Sequence, residues 1–388
     1  MKNIAKTLTF LSLAILLAFG SADAGNRRWK KDFGDDDFNR RTQLSYNRVE
    51  GIFLGFIIPK EYDDYYGMGN SLAFYGSLGY GLTNEKIRYK AGLARNLFGR
   101  NNMEIGAEYY DLTSTEDSWL MPQQENSLAA FFLHEDFYDY YRAEGYAIYG
   151  TKHMGRMLSV TGGMREENIS SMEKVKDWSL FRSDEKFRDN PLVDEGSYKS
   201  TFLRVRTGTS RHMENWSLSV DAELNNANLK DDMPDYERYV VDLRRYQPLG
   251  RSDHLNIRAR YGISNGDLPI HKKFDLGGIG SLRGYPFKEF ADADKMALIN
   301  IEYQTDGDAI AGLDFVGPLN NLIVAFFFDA GNVWNDDKDA PELNDLYRNI
   351  GIGFGDDDGD FMINIAKPLD GDASERDPVV TMRINYMF

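Results

Sequence analysis

Residues 216–224 read Trp-Ser-Leu-Ser-Val-Asp-Ala-Glu-Leu, and this stretch decides the fold. Residues at alternate positions, which we call the two parities, differ in character. The even-numbered positions are apolar (Trp216, Leu218, Val220, Ala222 and Leu224), and the odd-numbered ones are polar or charged (Ser217, Ser219, Asp221 and Glu223). Successive side chains of a β-strand point to opposite faces, so the segment predicts a strand with one apolar and one charged face. Such a strand suits a barrel wall that meets lipid outside and a polar lumen inside.

The same sorting of charge recurs in three later segments, 255–261, 297–303 and 380–388, where every charged residue falls on one parity. Placing one Arg or Lys on the lipid face at mid-bilayer costs about 2 to 4 kcal/mol, so strict sorting is informative. A soluble β-sandwich also alternates polar and apolar residues and is the main alternative. It does not explain so many long strands, an export signal and a terminal strand that ends on an aromatic residue.

The pattern predicts sixteen strands, and the predicted fold class is therefore all-β, a transmembrane 16-stranded antiparallel β-barrel. The predicted strands span 44–58, 70–82, 85–98, 102–115, 127–136, 139–150, 155–168, 199–210, 215–226, 237–248, 253–264, 295–305, 321–333, 346–356, 359–367 and 378–388. From the seventh strand onward the connections mostly alternate between long and short, as outer-membrane barrels require. The short connection 99–101 and the long connection 306–320 break this rule.

The first 24 residues have the organisation of a secretory signal. A positively charged start is followed by the apolar stretch Leu8 to Phe19 and by the small-residue site Ala22-Asp23-Ala24. We therefore expect a signal peptide at 1–24 and export from the cytoplasm. Beyond it the longest uninterrupted apolar run is Leu322 to Phe328, which is too short to span a membrane as a helix. The expected location is the bacterial outer membrane.

The composition excludes several classes of function. The formal net charge is −16, and phosphate binding needs a basic face, so no nucleic-acid partner is expected. The chain has no cysteine, and its five histidines do not lie at ligand spacing from one another, so we expect no metal and no cofactor. No Gly-x-Ser-x-Gly elbow is present, and no catalytic residue is predicted. A hydrolase built on barrel loops is the least favoured alternative.

A glycine-rich connection before the twelfth predicted strand narrows the family. It reads Leu276-Gly277-Gly278-Ile279-Gly280-Ser281-Leu282-Arg283-Gly284-Tyr285 and resembles the sixth-loop signature of the BamA/TamA/two-partner-secretion superfamily, also called bacterial surface antigen proteins. Residues 327–334 (Phe-Phe-Asp-Ala-Gly-Asn-Val-Trp) are similar to that family's thirteenth-strand pattern. Residues 350–354 (Ile-Gly-Ile-Gly-Phe) followed by 366–369 (Ala-Lys-Pro-Leu) resemble its closing hairpin region. The alternative is a simple cluster of turn-forming glycines.

The resemblance implies that the loop 265–294 folds back into the lumen and that its arginine, here Arg283, pairs with acidic groups on the wall. Strand parity places Glu302 and Asp329 on the lumenal face, so we predict that Arg283 pairs with both. A planar guanidinium suits carboxylates, although two solvated lumenal carboxylates are the alternative. Within the motif, which also contains Leu282, Gly284 is expected to allow a tight turn and Tyr285 to pack against the wall.

The resemblance also implies a function. Members of this superfamily insert or translocate proteins at the outer membrane, so we expect a non-enzymatic barrel that handles unfolded outer-membrane or secreted proteins, or lipids, and contacts outer-membrane lipid. A passive porin-like channel is the alternative. The last residues resemble the C-terminal signal by which such barrels are recognised for assembly, which assigns that role to Tyr386 and Phe388.

The expected domain organisation departs from that of most family members. Those members carry periplasmic POTRA domains before the barrel, whereas here only a short polar segment, residues 25–43, precedes the predicted barrel at 44–388. The sequence therefore predicts a barrel-only member without POTRA domains. It indicates neither the client nor a periplasmic partner.

Overall fold

Sixteen strands of the chain form one antiparallel sheet. The computed structural model describes residues 41–60, 72–97, 103–154, 158–182, 184–207, 216–225, 234–250, 253–306, 322–335, 338, 340–356 and 361–384. The strands of the sheet are β1 (Thr42–Asn47), β2 (Gly51–Ile58), β3 (Leu72–Gly81), β4 (Lys86–Leu97), β5 (Met103–Ser114), β6 (Tyr141–Met154), β7 (Leu158–Ser171), β8 (Gly196–Thr207), β9 (Trp216–Asn225), β10 (Tyr236–Pro248), β11 (His254–Gly266), β14 (Lys295–Asp306), β15 (Leu322–Trp334), β16 (Tyr347–Asp356), β17 (Phe361–Pro368) and β18 (Val379–Ile384). Two short strands, β12 (Phe274–Leu276) and β13 (Phe290–Ala293), form a separate ribbon. The predicted signal peptide lies outside the described residues.

The outward face of the sheet is apolar, as the alternation predicts. On β2 the exposed side chains are Ile52, Leu54, Phe56 and Ile58, and Phe56 is 68% exposed, whereas the intervening Phe53 is buried. Large apolar side chains that are exposed in regular alternation suit a surface in contact with lipid rather than water.

The predicted strand 44–58 is wrong, because the chain reverses in its middle. β1 and β2 form a hairpin whose turn is 48–50, with Asn47 paired to Gly51. The Asn47 Oδ1 accepts hydrogen bonds from the backbone N–H groups of Val49 (3.0 Å) and Glu50 (2.7 Å), and Gly51 takes a positive φ of 69°. An Asn side chain that captures the following N–H groups is a turn device, and it overrides the alternating pattern of the window.

The predicted strand 127–136 is also wrong, because this segment is helical. Residues Gln123–Leu128 form the helix α1, and Ala129–Leu133 continue it as a π-helical turn. The run Leu128–Leu133 is apolar on both parities, so it lacks the alternation of a strand, and Pro122 stands where a helix begins. No helix within the described residues is long and apolar enough to cross a membrane.

These two errors cancel, so the predicted total of sixteen strands is confirmed. They also explain one anomaly of the connections. The long connections 115–140, 172–195 and 267–294 all lie at one rim of the sheet, which we term the loop rim, and the 249–253 turn lies at the opposite, turn rim. With the strands reassigned, the short link between β4 and β5 falls at the turn rim, which agrees with the rule that short turns lie at one rim and long loops at the other. Most of the 306–320 connection lies outside the described residues.

The first and last strands of the sheet meet at one turn of helix. The Ser127 Oγ of α1 accepts a hydrogen bond from the N–H of Tyr46 in β1 at 2.6 Å. The Glu125 Oε1 of the same helix accepts one from the N–H of Ile384 in β18 at 3.1 Å. Because two residues of one short helix contact both ends of the sheet, these ends lie close together, as the predicted barrel requires. We term the boundary between β1 and β18 the seam.

Candidate functional site: the lumenal loop and the seam

The structure brings Arg283, Glu302 and Asp329 together inside the barrel. The Arg283 Nη1 lies 2.5 Å from Glu302 Oε2, and its Nη2 lies 2.8 Å from Asp329 Oδ1. Its Nε also donates to Asp329 Oδ2 at 2.9 Å, so the contact with Asp329 is bidentate. The Arg283 side chain is 6% exposed and both carboxylates are fully buried. Buried charges in this geometry stabilise only as a complete set, because each alone has lost its water.

Neutral side chains on three adjacent strands complete this network, which we term the Arg283 anchor. Asn300 of β14 and Asn349 of β16 each donate to the Asp329 carboxylate of β15 at 2.8 Å. The ring centre of Phe327 lies 3.5 Å below the Arg283 guanidinium, which adds a cation–π contact. Asp329 therefore has donors from the loop and from both neighbouring strands, and the loop is fixed to a continuous part of the wall.

The glycines of the loop play different parts from those expected. Gly277, Gly278 and Gly280 take positive φ values of 124°, 83° and 81°, so the tight turns fall on them and not on Gly284. At Gly284 a Cβ would lie 2.7 Å from the Cβ of Asn349, so this glycine lets the loop lie directly against β16. The expectation of a tight turn at Gly284 is corrected to one of close approach.

Leu282 and Tyr285, which flank the Arg-Gly pair, are both buried. Leu282 is 0% exposed and packs in a cluster with Met296 and Leu298 of β14. The Tyr285 hydroxyl lies 3.1 Å from the Arg348 carbonyl oxygen and 3.1 Å from the Asp370 carboxylate. The loop is thus held by apolar contacts as well as by charge.

A second charged cluster joins this loop to the loop that carries α1. The Lys288 Nζ contacts three carboxylates: those of Asp117 at 2.8 Å, Asp139 at 2.8 Å and Asp275 at 3.0 Å. Burial lowers the pKa of Lys288, but the three carboxylates outweigh it and hold that pKa well above its usual value. Burial, reinforced by the two neighbouring carboxylates and opposed by Lys288, raises the pKa of Asp117 to about 7.

The seam carries a buried ion pair that the sequence analysis missed. The Arg383 guanidinium of β18 binds Glu125 of α1 in bidentate fashion, with Nε 2.5 Å from Oε1 and Nη2 3.1 Å from Oε2. The two side chains are 7% and 4% exposed. Together with the bonds of Glu125 to Ile384 and of Ser127 to Tyr46, this pair forms a set of side-chain contacts that we term the clasp.

Arg48, at the tip of the β1–β2 hairpin, fixes the other side of the seam. It is 0% exposed, lies 3.3 Å from the Asp136 carboxylate and donates to the Tyr138 carbonyl at 2.7 Å and to the Asn190 Oδ1 at 3.1 Å. The tip of the hairpin is therefore held by the two loops 115–140 and 172–195. Parity alone places Arg383 on the lumenal face, but nothing in a single sequence pairs it with Glu125. Tyr386 and Phe388 lie outside the described residues.

Comparisons with known proteins divide the chain into two matched parts. Residues 215–356 match the Omp85 superfamily domain, and residues 22–211 match the C-terminal domain of a family of unknown function, DUF5686. The outer membrane protein assembly factor BamA of Nitratidesulfovibrio vulgaris is 26% identical over 132 residues, and protein TOC75-4, chloroplastic, of Arabidopsis thaliana is 32% identical over 100 residues. These matches cover 30% and 26% of this chain but only 16% and 22% of the two relatives.

One solved structure supports the fold. BamA from Haemophilus ducreyi lacking POTRA domains 1–3 superposes with a TM-score of 0.55, at 13% identity, over 88% of this chain and 68% of that chain. At this identity the likeness concerns the architecture alone. The family resemblance drawn from the Arg-Gly-Tyr loop is confirmed, since the Omp85 match contains that loop and the strands that anchor it.

Proposed function

Since residues 215–356 form an Omp85 superfamily domain within a barrel of the BamA, TamA and two-partner-secretion type, we propose that this protein inserts or translocates protein clients at the bacterial outer membrane. Its partners would be unfolded outer-membrane or secreted proteins and the surrounding lipid. The proposed activity is not enzymatic, because the work is done by the wall of the barrel and by its contact with the bilayer.

The observation that carries the proposal is the clasp. The sheet order ends at β1 on one side and at β18 on the other, and the helix α1 reaches both. Side-chain contacts of this kind can be released one by one, whereas a full ladder of backbone hydrogen bonds must be broken along its length. The seam is therefore the part of the wall best suited to open.

An open seam would present two unpaired strand edges. Free N–H and C=O groups on an edge template the addition of another strand, so a client segment in extended form can pair with β1 or β18. β1 has only the six residues Thr42–Asn47, and Gly55 and Pro59 weaken pairing along and beyond β2. A short first strand with a weak neighbour lowers the cost of exchange with a client.

The Arg283 anchor would supply the fixed frame for this movement. It joins the loop 267–294 to β14, β15 and β16, which lie on the C-terminal side of the barrel close to β18. In this proposal the wall around the anchor keeps its shape while the seam opens. Arg283 is thus a positioning residue that does not itself touch the client.

The test is a reversible lock on the seam. The chain has no cysteine, so the double variant Glu125→Cys with Arg383→Cys can be joined specifically by a reducible bismaleimide cross-linker. We expect the uncross-linked variant in liposomes to accelerate the insertion of an unfolded β-barrel client over empty liposomes. Cross-linking should abolish the acceleration, and reduction should restore it.

A cysteine pair away from the seam controls for the chemistry. Arg376 and Glu289 form an exposed ion pair between the β17–β18 connection and the loop 267–294, so Arg376→Cys with Glu289→Cys can be cross-linked without bridging α1 and β18. Insertion should be unaffected there. If the seam lock leaves insertion unchanged, or no variant exceeds empty liposomes, the proposal is wrong and a passive channel becomes the better account.

A further inference from the structure

A large polar cavity lies on the side of the lumen away from the seam. Its volume is about 700 Å³, and it is lined by strands β7 to β11 and by the loops that carry Glu116 and Lys272. Among the residues that the structure describes, the cavity is lined by seven cationic side chains, Arg165, Arg204, Arg206, Arg238, Arg244, Arg260 and Lys272, and by five acidic ones, Glu116, Glu167, Asp221, Glu223 and Asp242. In a protein of net charge −16 a cationic cavity calls for an explanation.

The half of the cavity nearest the loop rim is balanced in charge. There Arg165, Lys272 and Arg238 face the three carboxylates of Glu116, Glu167 and Glu223, at distances from 2.6 to 3.6 Å. Three cations with three anions leave no local excess. The net positive charge therefore comes from the other half, nearer the turn rim.

Within the described part of that half, guanidinium groups outnumber carboxylates. Arg258 and Arg260 both bind the Asp242 carboxylate, at 2.6 and 2.9 Å, and Arg244 also contacts it at 3.2 Å. Asp242 is 5% exposed, so this crowding lies in a partly desolvated place. The Arg260 Nε is buried and has no hydrogen-bond partner, which is costly for a charged donor.

In the same half, the described residues of β8 and β9 also include more guanidinium groups than carboxylates. Arg204 and Arg206 of β8 share the Asp221 carboxylate of β9, at 3.6 and 2.7 Å. Their side chains are 50% and 45% exposed to the cavity. Four guanidinium groups that line the cavity, those of Arg204, Arg206, Arg244 and Arg260, therefore share two carboxylates.

The strand register places one residue from each of β8, β9, β10 and β11 side by side. In the strand register Arg206 lies opposite Ser219, Ser219 opposite Asp242, and Asp242 opposite Arg260. These four residues form one row across four strands, which we term the cradle. The Ser219 hydroxyl makes one long contact, 3.5 Å to Asp221, and the adjacent lumenal Ser217 one of 3.4 Å to the Thr207 carbonyl. The row thus offers a hydroxyl donor beside Arg206 and a second guanidinium group at Arg260, a mixed set of donors that suits a tetrahedral oxyanion.

We propose that this cradle binds an oxyanion of phosphate chemistry. A phosphate group would accept hydrogen bonds from Arg206, Ser219 and Arg260 and would neutralise the excess charge that the two carboxylates leave. Arg206 lies next to the last residue of β8, at the turn rim, so the ligand enters from that rim. The ligand can be a soluble phosphate compound or a phosphorylated lipid headgroup. This site does not depend on the proposed movement of the seam.

The test measures inorganic pyrophosphate binding to the purified full-length protein in neutral detergent, by titration calorimetry. We expect saturable binding that weakens with added salt. The double variant Arg204→Gln with Arg206→Gln should lower the affinity by about tenfold or more, because it removes the charge-assisted contact of Arg206 and the neighbouring positive charge of Arg204. The matched control is Arg142→Gln, since the Arg142 guanidinium is similarly exposed but shares two carboxylates, Asp111 and Glu144, outside the cavity.

A second variant guards against a folding defect. Ser219→Asp keeps every cation but places a new carboxylate in the row between Arg206 and Asp242, so it should abolish binding while the barrel stays resistant to unfolding by detergent at room temperature. No saturable binding by the wild type, or equal binding by the wild type and both cavity variants, would overturn the proposal. Phosphorylated lipid that copurifies with the wild type and not with the double variant identifies a lipid source. Binding of pyrophosphate without retained lipid identifies a soluble one.

Discussion

The Arg283 anchor and the clasp both rest on a buried, bidentate arginine–carboxylate pair, yet their surroundings differ. At the anchor, Asp329 of β15 receives hydrogen bonds from the loop and from the neighbouring strands β14 and β16. Continuous ladders of backbone hydrogen bonds join β15 to each of these strands. At the clasp, Glu125 joins a short helix to the last strand of the sheet. The same chemistry thus holds a fixed wall in one place and a releasable boundary in the other, and substitutions can separate the two roles.

The largest effect is expected at the anchor. Arg283→Ala leaves Glu302 and Asp329 buried without their cation, which costs about 3 to 5 kcal/mol. The free energy of unfolding, measured from urea titrations in detergent, should fall by that amount. Arg376→Ala is the control, because its ion pair with Glu289 involves a side chain that is 48% exposed and contributes less than about 1 kcal/mol. Equal stability of the two variants would show that the anchor is not structural.

A smaller and more local effect is expected at the clasp. Arg383→Gln removes the charge that binds Glu125, so β1 and β18 should exchange amide hydrogen about tenfold faster while the strands around the anchor keep their protection. Hydrogen exchange read by mass spectrometry provides the measurement. The charge swap Glu125→Arg with Arg383→Glu should recover part of the protection. Faster exchange spread evenly over the whole barrel would contradict a distinct seam.

The smallest effect concerns pH and the Lys288 cluster. The pKa of Asp117 is raised from 3.8 to about 7, so the stability linked to its proton is fully present below about pH 4 and is lost as the pH rises through 7. Asp117→Asn cannot lose that proton, so its melting temperature relative to the wild type should increase from pH 4 to pH 8. Asp189→Asn, at a carboxylate that is 92% exposed, should show no such trend. A difference that stays constant with pH would refute the shift.

Much of the wall was predictable from the sequence because a membrane barrel imposes strict parity. The segments around 216–224 and 255–261 keep charge on one face, and the structure places those charges in the lumen, as on β9 and β11. Parity also put Glu302 and Asp329 on the inner face, within reach of the loop that carries Arg283.

The seam was not predictable in the same way, because its contacts join residues far apart in the chain. The turn at Asn47 depends on one side chain capturing two N–H groups, a local device that alternation does not register. The segment around α1 is rich in apolar residues, but these occupy both parities, so alternation gives no support to a strand there. The partners of Glu125 and Arg48 follow only from tertiary structure.

The separation in sequence of the clasp residues has a consequence for the order in which the barrel is built. Glu125 and Arg383 lie 258 residues apart in the chain. Strands that are neighbours in the sheet, by contrast, follow one another in the sequence. Closing so long a loop costs more conformational entropy than closing a hairpin. The hairpins should therefore form first and the clasp last. Its formation would therefore mark the moment at which a nascent barrel becomes complete, and a chain truncated before Arg383 would fold its hairpins but leave α1 without its last partner.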